Sequence, residues 1–296
     1  MIALKAVTAT PAVIADVRAA VDKGDFARAE AVIAAYRTRP SPEVIEAVSW
    51  MGRGALAAHR LNEAGAYADR TLALVTAELK SRRLDADAHL PIALGAAIEV
   101  KAQVLNERGQ RTEAVAFLRR ELVAYRTTSI RARIQKNLNL LTLEGKPAPA
   151  LDERQWLGPK PPSLFALKGH PVLLFFWAHW CGDCKLQRRE LSQLKREFPS
   201  LVLIGPTQLY GYIAGGEEAP PDQELKYLDE IRHKYYADLL DMPVPISGET
   251  FKLYGASTTP TLVFIDRAGI VRVYHPGRMT LDELRAAIKE TCHCDV

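Results

Sequence analysis

The chain has 296 residues, 48% of them hydrophobic and 25% charged, with a formal net charge of +4. That is the composition of a soluble globular protein with room for one large domain or two ordinary ones. The small positive surplus, with no dense Lys/Arg run, gives no case for nucleic acid, and no stretch approaches the ~20 apolar residues that cross a bilayer.

The start, "MIALKAVTATPAVIADVRAA", has one lysine and then a weak apolar stretch broken by Thr8, Thr10 and Pro11. It is a poor secretory signal. From residue 11 to about 144 the pattern is helical, rich in Ala, Arg and Glu, with apolar residues three and four apart. Gly24 fits a turn between two helices and stands five residues before Ala29. Gly109 stands five before Ala114. Between them, Trp50, Gly54, Ala66 and Ala73 have comparable offsets. This spacing resembles a degenerate set of tetratricopeptide-like helical hairpins, with small residues where paired helices touch. An ordinary Ala-rich bundle is the alternative. The units are unevenly spaced, and "KSRRLDADAHLP" (80–91) does not fit. His59 and His89 lie far apart with no cysteine nearby and read as polar helix or loop residues.

"LEGKPAPALDERQWLGPKPPS" (143–163) holds five prolines and two glycines and breaks the helical pattern. A domain boundary is expected here, with a helical domain over 1–144, a second domain over 145–296 and a linker over about 145–163. The period then changes. "PVLLFFWA" (171–178) is a continuous apolar run suited to a strand buried on both faces, and the strand is expected to end at Trp180. "CKLQRRELSQLKREF" reads as a helix with Leu186, Leu191, Leu194 and Phe198 on one side. "LVLIGP" (201–206) is a second buried strand. "PTLVFIDRAGIVRVYH" reads as two strands joined by a turn at Asp266–Gly269. Thr280 and Glu283 stand at capping-box spacing before a last helix. The expected class is multidomain, all-α followed by α/β.

All four cysteines, Cys181, Cys184, Cys292 and Cys294, fall in this second half. None remains to staple the first half, so the chain is not a disulfide framework. Three chemistries fit Cys181 and Cys184. A metal site needs about four ligands, and the only other pair lies at the extreme C-terminus. A structural staple over so short a loop constrains the unfolded chain little. Reversible redox exchange fits best. A sulfur at a helix N-terminus meets free N–H groups and a dipole that favour the thiolate, and the second sulfur, one turn on, can resolve a mixed disulfide.

"GKPAP", "LKGHPVLLFFWAHWCGDC" and "YGASTTPTLVFIDRAGIV", in that order over roughly 145–291, resemble the thioredoxin superfamily, specifically the TlpA/ResA-like thiol-disulfide oxidoreductases. The resemblance implies a thioredoxin fold, with Pro260 in a cis bond beside the two sulfurs and Thr259 facing Cys181. It also implies an extended edge at this segment to which a partner's backbone can pair. The expected partners are protein disulfides or dithiols and an external electron donor or acceptor, with no dissociable cofactor.

The departures from that pattern matter. The buried acid that thioredoxins carry in the strand is Phe175 here. Arg189 stands in place of a helix-kinking proline. Asp183, inside the motif, would disfavour a second negative charge or relay the resolving thiol's proton, unless it is only a solvated first-turn residue. Trp177 and Trp180 are expected to pack around the site and exclude water. His179 corresponds to a variable surface position, with tuning of Cys181 as the alternative. The stretch 206–246 resembles the family's insertion, and Tyr210, Tyr212, Tyr227, Tyr235 and Tyr236 in it offer a partner surface or, more simply, helix packing.

The pair Cys292–Cys294 reads as an unconnected tail pair, a second redox pair or a metal site. The whole chain therefore reads as a thiol-disulfide oxidoreductase whose helical half recruits a protein partner. A non-catalytic scaffold and a thiol peroxidase are the alternatives. The resemblance favours the cell envelope, while the unconvincing leader argues for the cytoplasm.

Overall fold

In the computed structural model, which describes residues 11–36 and 41–292, the alanine-rich half forms α1 (Ala12–Asp22), α2 (Phe26–Ala34), α3 (Pro42–Ala57), α4 (Leu61–Glu78), α5 (Leu90–Glu107) and α6 (Arg111–Ala124). They pack as three hairpins, α1 on α2, α3 on α4 and α5 on α6, and the first helices of successive hairpins also touch. Val17, Ala47, Val48, Met51, Ala55, Ala68 and Val100 fill the core between them. The misfit stretch 80–91 is a 3₁₀ turn, Leu84–Ala86, followed by Asp87, whose carboxylate accepts the N–H groups of His89 and Leu90 at 2.7 and 3.0 Å and so caps α5.

The recurrence differs from the offsets expected around Trp50 and Gly54. Its middle member is His59, at φ 55°, between Gly24 at φ 72° and Gly109 at φ 77°. Each closes the turn of its hairpin with the same pair of bonds. The N–H of Gly24, His59 or Gly109 reaches the carbonyl three residues back at 2.9 Å. The next N–H reaches the carbonyl five back, Asp25 to Ala20 at 2.9 Å, Arg60 to Ala55 at 2.8 Å and Gln110 to Leu105 at 2.9 Å. Five residues after each turn comes a fully buried alanine, Ala29, Ala64 or Ala114. The left-handed region costs an L-residue roughly 1–2 kcal/mol. The His59 imidazole is exposed and lies 3.9 Å from Glu107, so little is lost with it. His59→Gly should therefore raise the unfolding free energy of the helical unit by about 1 kcal/mol, offset in part by the greater entropy of unfolded glycine. Thermal melts followed at 222 nm check this, and an unchanged or lower midpoint counts against it.

The chain divides into two units, Met1–Ile134 and Gln135–Val296. Helix α7 (Arg131–Thr142) ends in the second. That unit continues with β1 (Trp156–Leu157), β2 (Val172–Phe176), α8 (Gly182–Glu197), β3 (Val202–Ile204), α9 (Pro221–Tyr235), β4 (Val244–Pro245), α10 (Gly248–Tyr254), β5 (Thr261–Ile265), β6 (Val271–Pro276) and α11 (Leu281–Cys292). The main sheet has the order β3-β2-β5-β6, with β2 parallel to β3 and antiparallel to β5. β1 and β4 form a separate antiparallel pair.

Every side chain of β2 and β5 is buried. Their alternation sorts them into two layers. Leu173, Phe175, Leu262 and Phe264 face a core shared with residues of α8, α9 and α11, while Leu174, Phe176, Val263 and Ile265 face one shared with Phe251 and Tyr254 of α10. Each such side chain contributes about 1.5–3 kcal/mol of hydrophobic stabilisation. The expected capping box forms reciprocally: the Thr280 N–H donates to Glu283 Oε2 at 2.7 Å and the Glu283 N–H to Thr280 Oγ1 at 3.3 Å. Among the described residues no helix is long and apolar enough to cross a membrane.

Candidate active site

Strand β2 ends at Phe176, four residues short of the expected end at Trp180. At Trp177 the N–H still reaches the Pro206 carbonyl at 3.1 Å, but its carbonyl is taken by a side chain, Thr207 Oγ1 at 2.8 Å, and its Nε1–H donates to the Gly205 carbonyl at 2.9 Å. Residues 178–180 then form a short loop to Cys181, the N-cap of α8. In the register of the sheet, Phe176 pairs with Thr261. The exit of β2 and the entry to β5 therefore lie side by side, which brings Cys181 and Thr259 together.

Cys181 and Cys184 are joined as a disulfide, with Cα atoms 5.3 Å apart. Cys181 is 3% exposed and Cys184 is wholly buried. The Cys184 N–H donates to Cys181 Sγ at 3.0 Å. The same sulfur lies 3.4 Å from the Thr259 carbonyl oxygen. The Thr259–Pro260 peptide is cis. The Pro260 carbonyl is taken by the Gly277 N–H at 2.8 Å, and Thr259 Oγ1 is buried without a hydrogen-bond partner. Chemically, a sulfur at a helix N-terminus with an N–H pointed at it is set up to carry negative charge.

The remaining expected residues divide. Trp177 is buried as expected, and its ring lies 5.1 Å from that of Tyr236. Trp180 is 51% exposed, so it does not seal the site; it stands edge-to-face on Tyr210 at 5.7 Å. Asp183 is exposed in the first turn of α8. Phe175 fills the carboxylate position with an aromatic ring, 6.1 Å from Tyr236. With Arg189 in place of proline, α8 runs unbroken over its 16 residues. Leu186 is exposed, because the inner face of α8 is the line Cys184, Gln187, Leu191 and Leu194.

His179 is a correction. It is 1% exposed and not a surface residue. Burial pushes its imidazole down from the ordinary histidine range, and the Glu224 carboxylate opposes that. Among the tyrosines, Tyr236 is fully buried core, while Tyr210, Tyr212 and Tyr227 surround His179.

Sequence reasoning missed two residues. Gln187 is fully buried; its Nε2 donates to the Met279 carbonyl at 2.9 Å and its Oε1 accepts the Met279 N–H at 2.8 Å, fixing the segment ahead of α11 to α8. Its spacing from Cys184 and Leu191 was the available signal. Glu224 carried no signal, since an acid in a first helical turn is ordinary. Residues 293–296, and with them Cys294, lie outside the described residues.

The family of thioredoxin-like domains matches residues 162–291. This stretch is a thioredoxin-like domain. Three bacterial relatives share it. The thioredoxin-like protein YneN of Bacillus subtilis is 26% identical over 144 residues, 48% of this chain and 76% of YneN. The thiol:disulfide interchange protein DsbE of Pseudomonas fluorescens biotype C is 29% identical over 140 residues, 47% of this chain and 69% of DsbE. The thiol-disulfide oxidoreductase ResA of Oceanobacillus iheyensis is 29% identical over 126 residues, 42% of this chain and 58% of ResA. All three likenesses leave more than half of this chain unmatched. The thioredoxin-like domain carries the disulfide.

Proposed function

We propose that the chain is a thiol-disulfide oxidoreductase that exchanges disulfides with protein substrates through Cys181 and Cys184. The observation that carries this is the disulfide at the N-terminus of α8, its Cys181 sulfur 3.4 Å from the Thr259 carbonyl. In the reducing direction the Cys181 thiolate attacks one sulfur of a substrate disulfide. A new S–S bond forms, the old one breaks, and the other substrate sulfur leaves as a thiolate and takes a proton. Cys184, deprotonated, attacks Cys181 Sγ, restores the disulfide of the structure and releases the second substrate sulfur. Two electrons pass from the cysteine pair to the substrate. An external dithiol returns them, and the reverse sequence oxidises a substrate dithiol. The resemblance implies that the segment at Thr259 offers its backbone to a substrate's backbone. Trp180 precedes the reacting cysteine, and Asp183 is the exposed carboxylate of the motif.

The test is reduction of insulin by dithiothreitol, monitored by turbidity, with the Cys181–Cys184 potential measured against glutathione. Catalysed precipitation is expected. An intact pair that leaves the uncatalysed rate unchanged would overturn the reading.

We assign partner recruitment to the helical unit, read as a tetratricopeptide-like array. What supports this is a groove of about 550 Å³ lined from α1, α3 and α5 by Asp22, Trp50, Arg53, Glu99 and Gln103 among others. There the guanidinium groups of Arg18 and Arg53 lie over the Trp50 ring, 4.3 and 4.5 Å from its centroid. The resemblance to the TlpA/ResA-like proteins supports a cell-envelope setting, and recovery of the native protein solely from the cytosolic fraction counts against it.

A further inference from the structure

The active-site loop holds a residue that disulfide exchange does not use. His179 stands two positions before Cys181, and its side chain is as buried as that of the carboxylate it faces, each 1% exposed. Its Nε2 lies 3.3 Å from Glu224 Oε1. Glu224 sits in the first turn of α9, within the inserted stretch, and both of its oxygens are engaged. Oε1 accepts the Tyr210 N–H at 2.6 Å and Oε2 accepts the Gly211 N–H at 2.8 Å. A buried carboxylate that gathers two backbone N–H groups holds their loop firmly, because neither side finds a replacement partner away from water.

The ring of His179 is enclosed by three others. Tyr210, Tyr212 and Tyr227 meet it edge-to-face at 5.5, 5.3 and 5.4 Å. The charged groups that act on it are Glu224 from α9 and Lys185 from α8. On the outer side of this cluster Tyr210 supports Trp180, the half-exposed neighbour of Cys181, and lies 6.2 Å from Tyr212. The active-site loop and the insertion thus meet around His179, with Trp180 on Tyr210 as a second contact.

We propose that His179 and Glu224 are positioning residues: they clasp the Tyr210–Gly211–Tyr212 segment to the active-site loop and so build beside Cys181 an aromatic rim of Trp180, Tyr210 and Tyr212 that holds a polypeptide substrate. The inference rests on the oxidoreductase reading and narrows its substrate class. The rim serves polypeptides that carry an apolar side chain next to the reacting cysteine; a small disulfide reaches Cys181 without it.

The test compares insulin with bis(2-hydroxyethyl) disulfide as substrates of the full chain. In Glu224→Gln and His179→Phe the KM for insulin should rise roughly tenfold with kcat nearly unchanged. The rate with the small disulfide and the Cys181–Cys184 potential should stay within about twofold of the parent. A variant that loses both activities together, or neither, overturns the clasp. Tyr212→Ala removes a rim ring and leaves the His179–Glu224 pair in place. It should raise the insulin KM severalfold even if the clasp variants fold poorly, and an unchanged KM there overturns the rim. If the parent chain itself turns over neither substrate, the oxidoreductase reading has failed, and not this inference.

Discussion

Cys184→Ser should accumulate a stable mixed disulfide with a protein substrate, and Cys181→Ser should accumulate none. Both variants should lose turnover by on the order of 10³-fold or more, as expected when a covalent step is removed. The two sulfurs differ in ways that assign the order of attack. Cys181 is the helix cap, has the Cys184 N–H pointed at its sulfur, and is the one of the pair with any exposure. Cys184 is sealed inside α8 against the core that includes Phe175. Of the two, Cys181 is the one a substrate sulfur can meet, and among the described cysteine sulfurs Cys184 meets only Cys181. The mixed disulfide therefore waits on Cys184, and serine there cannot break it. Mass spectrometry of the trapped species under non-reducing conditions reads the result. Trapping through Cys184 in the Cys181→Ser variant would reverse the assignment.

Gly255→Ala should destabilise the thioredoxin-like unit by about 3 kcal/mol or more. Gly255 closes α10 at φ 62°, where a β-carbon costs roughly 1–2 kcal/mol. Space is the second cost. A β-carbon there would lie 2.3 Å from the Lys136 nitrogen and 2.6 Å from its Cα, both backbone atoms of α7. Neither can step aside alone, and such overpacking costs about 1–3 kcal/mol more. Gly145 supplies the control: it has φ 77° and nothing within 4 Å of a built β-carbon. Gly145→Ala should cost only the left-handed share, about 1 kcal/mol. Denaturant unfolding followed by the fluorescence of buried Trp177 separates the two. Equal losses would mean that α7 yields and the close approach does not matter.

The elements of the second unit were legible because their signals are local. An unbroken apolar run gave β2, the turn at Asp266–Gly269 gave the β5–β6 hairpin, and Thr280 with Glu283 gave the start of α11. The motif itself was legible because two cysteines one helical turn apart serve few chemistries. What escaped was long-range. His179 reads as a variable surface position until α9 brings Glu224 to it, from 45 positions along the chain. The exposed Trp180 looked like a seal because the sequence does not say which of two tryptophans faces inward. In the helical half, Gly24 and Gly109 declared their turns by residue type. His59 hid the third, because a histidine at positive φ carries no mark in the sequence.

The sulfur of Cys181 both ends a helix and does the proposed chemistry. A divalent sulfur keeps lone pairs whether it is a thiolate, part of the internal disulfide, or bonded to a substrate. In the disulfide of the structure it accepts the Cys184 N–H, and the lone pair that accepts it is present in the other two states as well. The first turn of α8 therefore need not come undone and be rebuilt between half-reactions, so successive substrates meet the same rigid anvil.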